Sequence, residues 1–72
     1  MVKPVENPLQ ILIDALELSG WELDDIIMIA AGIEHPMAIL DMADWVVDHP
    51  KATWQELMRE KVRLIEKYLT NE

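Results

Sequence analysis

Apolar and polar residues recur with helical periods along the whole chain, and the sequence shows no strand-like alternation. The first helix is predicted to begin after Asn7, a good N-cap, with Pro8 at its first position. It is predicted to end near Ser19, where Gly20 provides a stop. Its polar residues share one narrow stripe, so we expect this helix to be covered on most sides.

The second helix is predicted over residues 22–31, with acids in its first turn, where the positive end of the helix dipole favours them. From Ile26 onward it is apolar on every side, which is typical of a central helix in a compact bundle. Three methionines surround the turn that follows, and their helical spacing favours core packing: Met28, Met37 and Met42.

The third helix is predicted over residues 36–47, because Pro50 disfavours a helical residue before it. An acid-His-Pro triplet stands at each end of it, at 34–36 and at 48–50. These triplets contain four residues that can bind metals, Glu34, His35, Asp48 and His49. A twelve-residue helix is about 18 Å long, so the two triplets cannot share an ion within one chain. We interpret them as helix boundaries and predict no metal site.

The fourth helix is predicted to start with a Thr-x-x-Glu capping box at 53–56 and to run to about Leu69. Trp54 begins its apolar face and is expected in the core. Trp21 precedes the second helix and is expected to be partly exposed. The sequence therefore predicts an all-α fold: a compact four-helix domain with short loops over residues 8–72, after an extended N-terminal tail over residues 1–7.

A chain of 72 residues buries only about 60% of the surface that it exposes when unfolded. Yet 51% of its residues are hydrophobic and it has no cysteine to cross-link it. We therefore expect part of the apolar surface to meet a partner. No signal peptide or membrane-spanning run is visible, which indicates a cytoplasmic protein without a membrane partner.

Charge is distributed unevenly along the chain. Its formal net charge is −8, and the segment 4–50 carries ten acids and no lysine or arginine. This segment repels phosphate and attracts basic surfaces. Three of its acids are spaced by three and four residues in the third helix and form an acidic ridge: Asp41, Asp44 and Asp48.

The stretch "SGWELDDIIMIAAGIEHPMAILDMADWV" reads as helix, Ala-Gly-Ile turn, helix. This layout resembles the helix-turn-helix core of phage repressor and Cro-like domains. The resemblance implies that the third helix would be the recognition helix. That helix carries the acidic ridge and no lysine, arginine, asparagine or glutamine, so direct nucleic-acid binding is not favoured.

No arrangement of residues indicates catalysis, and we predict neither an enzyme nor a cofactor. The chain has one serine, Ser19, next to a helix stop, and no strand-to-helix turn activates it. Only two glycines are present, so there is no glycine-rich phosphate loop.

These patterns favour a small acidic protein-interaction module, a regulator or inhibitor of a nucleic-acid-binding protein, of the kind that phages or mobile elements encode. Its partner would present a basic surface. The predicted contact residues are Asp41, Asp44, Asp48, Trp21, Asp24, Asp25 and Met37.

Two alternatives remain open at this point. In the first, the chain is a helix-turn-helix DNA-binding regulator, expected to be a homodimer, whose fourth-helix region contacts phosphates through Lys51, Arg59, Arg63 and Lys67. In the second, it is a self-assembling structural subunit whose apolar surface forms an oligomer.

Overall fold

The computed structural model describes residues 7–70, which form four helices and no strand. The helices are α1 (Pro8–Leu18), α2 (Leu23–Ala30), α3 (Pro36–Asp48) and α4 (Trp54–Thr70). The all-α prediction is confirmed, and every helix boundary lies within one residue of its predicted position. Most of the predicted N-terminal tail lies outside the described residues. Within residues 7–70, no helix is both long and apolar enough to span a bilayer.

Local hydrogen bonds explain where the helices begin. The Asn7 side chain accepts from the Leu9 N–H at 2.9 Å, and the His35 ring Nδ1 accepts from the Met37 N–H at 3.1 Å. Each satisfies one of the backbone donors that a helix N-terminus leaves free. Gly20, after α1, has φ +94°, a left-handed conformation that other residues rarely adopt.

The predicted capping box at the start of α4 is present. The Thr53 hydroxyl accepts from the Glu56 N–H at 3.2 Å, and the Glu56 carboxylate accepts from the Thr53 N–H at 2.9 Å. The two side chains thereby satisfy each other's backbone donors, as the Thr-x-x-Glu spacing predicts.

One apolar core holds the helices together. The most extensive packing is between α1 and α3, and α4 packs across α3. No polar or charged side chain is fully buried among the described residues. The largest fully buried side chains come from all four helices: Leu12, Leu16, Ile26, Ile29, Met42, Val46, Leu57 and Leu64.

The prediction that α2 is a central helix is wrong. Leu23, Ile27 and Met28 are 63%, 57% and 59% exposed, whereas Ile26 and Ile29 are buried. Because α1 and α3 occupy the centre, α2 packs at the edge, mainly on α1, and can bury only one side. The expectation that α1 is covered on most sides fails at its end, where Leu18 is 88% exposed.

The expectations for the methionines and tryptophans need correction as well. Met42 is fully buried, but Met28 and Met37 are exposed because they lie on the outer sides of α2 and α3. Trp54 is only partly buried, as is Trp21, and their ring centroids lie 5.8 Å apart at the edge of the core. Trp21 thus has the partial exposure that its position predicts.

A lysine joins α2 to α4. Lys61 of α4 donates from Nζ to the backbone carbonyl of Met28 at 2.9 Å. That carbonyl belongs to the last turn of α2, where the helix dipole favours a positive charge. Burial lowers the pKa of Lys61 from its ordinary value.

Substituting Thr53→Ala should lower the free energy of unfolding by about 1 kcal/mol, because one half of the capping box is lost. Thr53→Ser, which keeps the hydroxyl, should leave stability close to that of the parent chain. Urea unfolding followed by circular dichroism measures both. Equal stability of the alanine and serine variants would contradict a stabilising role for the box.

Candidate interaction surface

The outward side of α3 carries the acidic ridge (Asp41, Asp44 and Asp48) together with Met37. These four residues are spaced by four, three and four positions, which places them on one stripe of the helix. Asp44 and Asp48 are exposed, Asp41 is partly buried, and Met37 is 49% exposed. The structure therefore adds an apolar side chain to the ridge, at the end where α3 begins.

A second apolar side chain borders the ridge. Val47 is 62% exposed and follows Asp44 by three positions, so the two are neighbours on the helix surface. We define the α3 face as Met37, Asp44, Val47 and Asp48. It combines two exposed carboxylates with two exposed apolar side chains on one helix.

Asp41 differs from the other two ridge acids because α4 engages it. The Tyr68 hydroxyl donates to its carboxylate at 2.5 Å, and the Lys67 ammonium lies 3.8 Å from the same oxygen. Lys67 also lies 5.2 Å from the centroid of the Tyr68 ring. Asp41 therefore links α3 to α4, which leaves the outer part of the ridge to Asp44 and Asp48.

The hydrogen bond to Asp41 raises the pKa of the Tyr68 hydroxyl above its ordinary value of 10.0, with smaller contributions from burial and from the negative charge itself. Since the folded-state pKa is raised, the stabilisation that this hydroxyl provides is complete below pH 10.0. It is lost as the pH rises through the folded-state pKa.

The two histidines flank α3, one at each end. His35 caps its start, and its ring stacks on Tyr68 with centroids 4.7 Å apart. His49 follows its end, stacks on Trp45 at 4.3 Å, and bonds from Nδ1 to the Trp45 carbonyl at 2.9 Å. Both rings therefore have partners at the boundaries of α3, which agrees with the interpretation of the two acid-His-Pro triplets as helix boundaries. Over residues 7–70, no three His, Cys, Asp or Glu side chains are grouped closely enough to hold a metal ion.

The remaining predicted contact residues lie on α2 and just before it. Trp21 packs against Trp54 at the start of α4, and the carbonyl end of α2 bonds to Lys61 in the middle of α4, whereas α3 meets α4 through Tyr68 near its end. Asp24 is exposed on α2, and Asp25 is partly buried. The seven predicted residues thus fall into two separate sets, one on α3 and one at α2.

The predicted phosphate contacts do not form a free basic surface. Arg63 pairs with Glu60 through two hydrogen bonds, which raise the pKa of its guanidinium, and Lys67 lies beside Asp41. Lys51 and Arg59 are exposed, but Lys51 lies in the turn before α4. Two of the four cations are therefore already paired with acids of the same chain.

The sequence prediction overlooked Val47, Leu23 and Ile27 as surface residues. Apolar side chains at helical spacing predict a buried face, and these helices are apolar on more than one side. For Val47 the spacing of three from Asp44 is a signal that could have been used, since it predicts neighbouring positions. Ile27 follows Asp24 by three positions, so the same spacing could have marked it, whereas no comparable signal marks Leu23.

Comparison of the chain with protein-family models, with curated proteins and with solved structures found no match.

Tyr68 is the sole tyrosine of the chain, so its ionisation can be followed by ultraviolet absorbance without interference from another phenol. We expect a titration midpoint above 10.0 in the parent chain and a shift back toward that value in Asp41→Ala, because the acceptor carboxylate is removed. Asp44→Ala is the matched control and should leave the midpoint unchanged. An identical midpoint in all three proteins would rule out the bond between Tyr68 and Asp41.

Proposed function

We propose that this chain is a protein-interaction module that regulates a nucleic-acid-binding protein by occupying the partner's basic surface. The observation that supports it best is the α3 face, where exposed Asp44 and Asp48 stand beside exposed Met37 and Val47. The carboxylates would contact lysine and arginine residues of the partner, and the apolar side chains would pack between them.

The two kinds of side chain make different contributions to binding. Exposed charges of one sign raise the rate of encounter with an oppositely charged surface and select against partners of like charge. Burial of apolar side chains supplies affinity that salt does not screen. A face with both properties suits a specific protein contact better than a purely acidic surface does.

A nucleic-acid-binding protein is the kind of partner that this charge favours. Surfaces that neutralise phosphates are rich in lysine and arginine, and the segment 4–50 of this chain contains acids and no such residue. An acidic helix placed on such a surface would compete with the nucleic acid for the same cations. The proposed mechanism is therefore inhibition by occupancy.

The charge distribution gives less support to the DNA-binding alternative. The helix in the recognition position would bring Asp44 and Asp48 toward phosphates, and two of the four candidate phosphate contacts are paired within the chain. Neutralised phosphates dominate affinity for DNA, so this surface opposes binding. Retardation of duplex DNA by the purified chain at near-physiological salt would restore that alternative.

A competition experiment tests the proposed function. Proteins from an extract of the cells that express this chain are bound to DNA-cellulose, and the purified chain is added at constant salt. We expect it to release a discrete protein, and the double variant Asp44→Asn/Asp48→Asn to need about tenfold more protein for the same release, since two charge contacts are lost.

The control is a second double variant with the same change in net charge, Asp14→Asn/Glu34→Gln. Both of its positions are exposed and lie off the α3 face, so release should equal that of the parent chain. Equal weakening of the two variants would mean that only net charge matters. Failure of the parent chain to release any protein would refute the proposal.

A further inference from the structure

An apolar groove of about 250 Å³ runs between α1 and α2, and no residue of α3 lines it. Only apolar residues line it, among them Leu9 and Ile13 of α1 and Leu23, Ile26 and Ile27 of α2. Ile26 is buried and forms its floor, while Leu9, Leu23 and Ile27 are 38%, 63% and 57% exposed. The groove thus presents large aliphatic side chains to solvent on both walls.

Carboxylates border one end of this groove. Glu17 continues the ridge of α1 that contains Leu9 and Ile13, since the three are spaced by four, and its side chain is exposed. Asp24, also exposed, neighbours Ile27 on α2 at a spacing of three. A short connection over residues 19–22 joins α1 to α2, so the end of α1 and the start of α2 lie together. Both carboxylates therefore stand at the end of the groove near this connection.

We propose that the α1–α2 groove binds an amphipathic helix of a partner protein, with the helix's apolar stripe on Ile13, Leu23 and Ile27 and its basic residues beside Glu17 and Asp24. A groove between two helices accepts the side-chain ridges of a third helix, and an apolar stripe at helical spacing matches its lining. The charge at one end sets the orientation of the bound helix.

Charge selects this occupant over a second copy of the chain. Neither α1 nor α2 contains a lysine or arginine, so a second copy packed groove to groove would offer no cation from these helices to Glu17 and Asp24. A helix with lysine or arginine at one end instead neutralises Glu17 and Asp24. The inference concerns a surface separate from the α3 face and does not depend on the proposed function.

A designed peptide tests this inference. The probe is a fluorescein-labelled helical peptide with leucines at positions i, i+4 and i+7 and lysines at one end. Its counterpart has glutamates in place of the lysines. Fluorescence anisotropy should show binding of the basic peptide at least about tenfold tighter than that of the acidic one, because only the former complements the carboxylates.

Two substitutions locate the binding site. Ile27→Gln should weaken binding of the basic peptide about tenfold, because the peptide loses an aliphatic wall of the groove. Val47→Gln, at a comparably exposed position on α3, is the matched control and should bind like the parent chain. Both positions are exposed, so circular dichroism should show an unchanged fold for each.

Several outcomes would overturn the inference: no binding of the basic peptide, equal binding of the two peptides, or unchanged binding by Ile27→Gln. A concentration-dependent dimer that Ile27→Gln abolishes would assign the groove to a second copy. Binding only after removal of residues 2–6 would assign it to the chain's own N-terminal segment. The variant Asp44→Asn/Asp48→Asn should bind the peptide normally, so failure of this inference and failure of the proposed function can be told apart.

Discussion

The packing of α1 against α3 is the contact on which the rest of the structure depends. It is the most extensive contact between helices, and both helices contribute fully buried side chains to the core, Leu12 and Leu16 from α1 and Met42 and Val46 from α3. A small domain has room for one core, and these two helices occupy its centre. The short helix α2 is left at the edge, where one side packs and the other faces solvent. The exposed apolar groove is therefore a consequence of which pair of helices takes the interior.

The same packing decides which charges stay exposed. On α3, the Asp41 carboxylate accepts a hydrogen bond from Tyr68 of α4 and lies beside Lys67. Asp41 therefore contributes to the contact between the two helices. Asp44 and Asp48 lie further along the same stripe of the helix and stay exposed. Two further basic residues of α4 have partners within the chain, since Lys61 reaches the end of α2 and Arg63 pairs with Glu60. Three of the four basic residues of α4 are thereby engaged within the chain, while Asp44 and Asp48 stay exposed on α3.

Two surfaces with a common chemistry result, an α3 face and an α1–α2 groove. Each places exposed aliphatic or thioether side chains beside carboxylates: Met37 and Val47 with Asp44 and Asp48 on α3, and Leu23 and Ile27 with Asp24 on α2. They differ in shape: the α3 face is the convex side of one helix, whereas the groove is a concave surface between two helices. Separate substitutions can therefore test the two proposals independently.

The sequence by itself determined the helices and their limits. Asn7, Gly20, Thr53 and Glu56 act on backbone groups within three residues of themselves, so their effect does not depend on the rest of the fold. Tertiary structure alone decided which apolar side of each helix is covered. Ile26 is buried and Ile27 exposed, although both are isoleucines in the same helix and no local rule separates them. It also decided the role of Asp41, whose partner Tyr68 stands 27 residues away in the chain and becomes a neighbour only when α4 packs across α3.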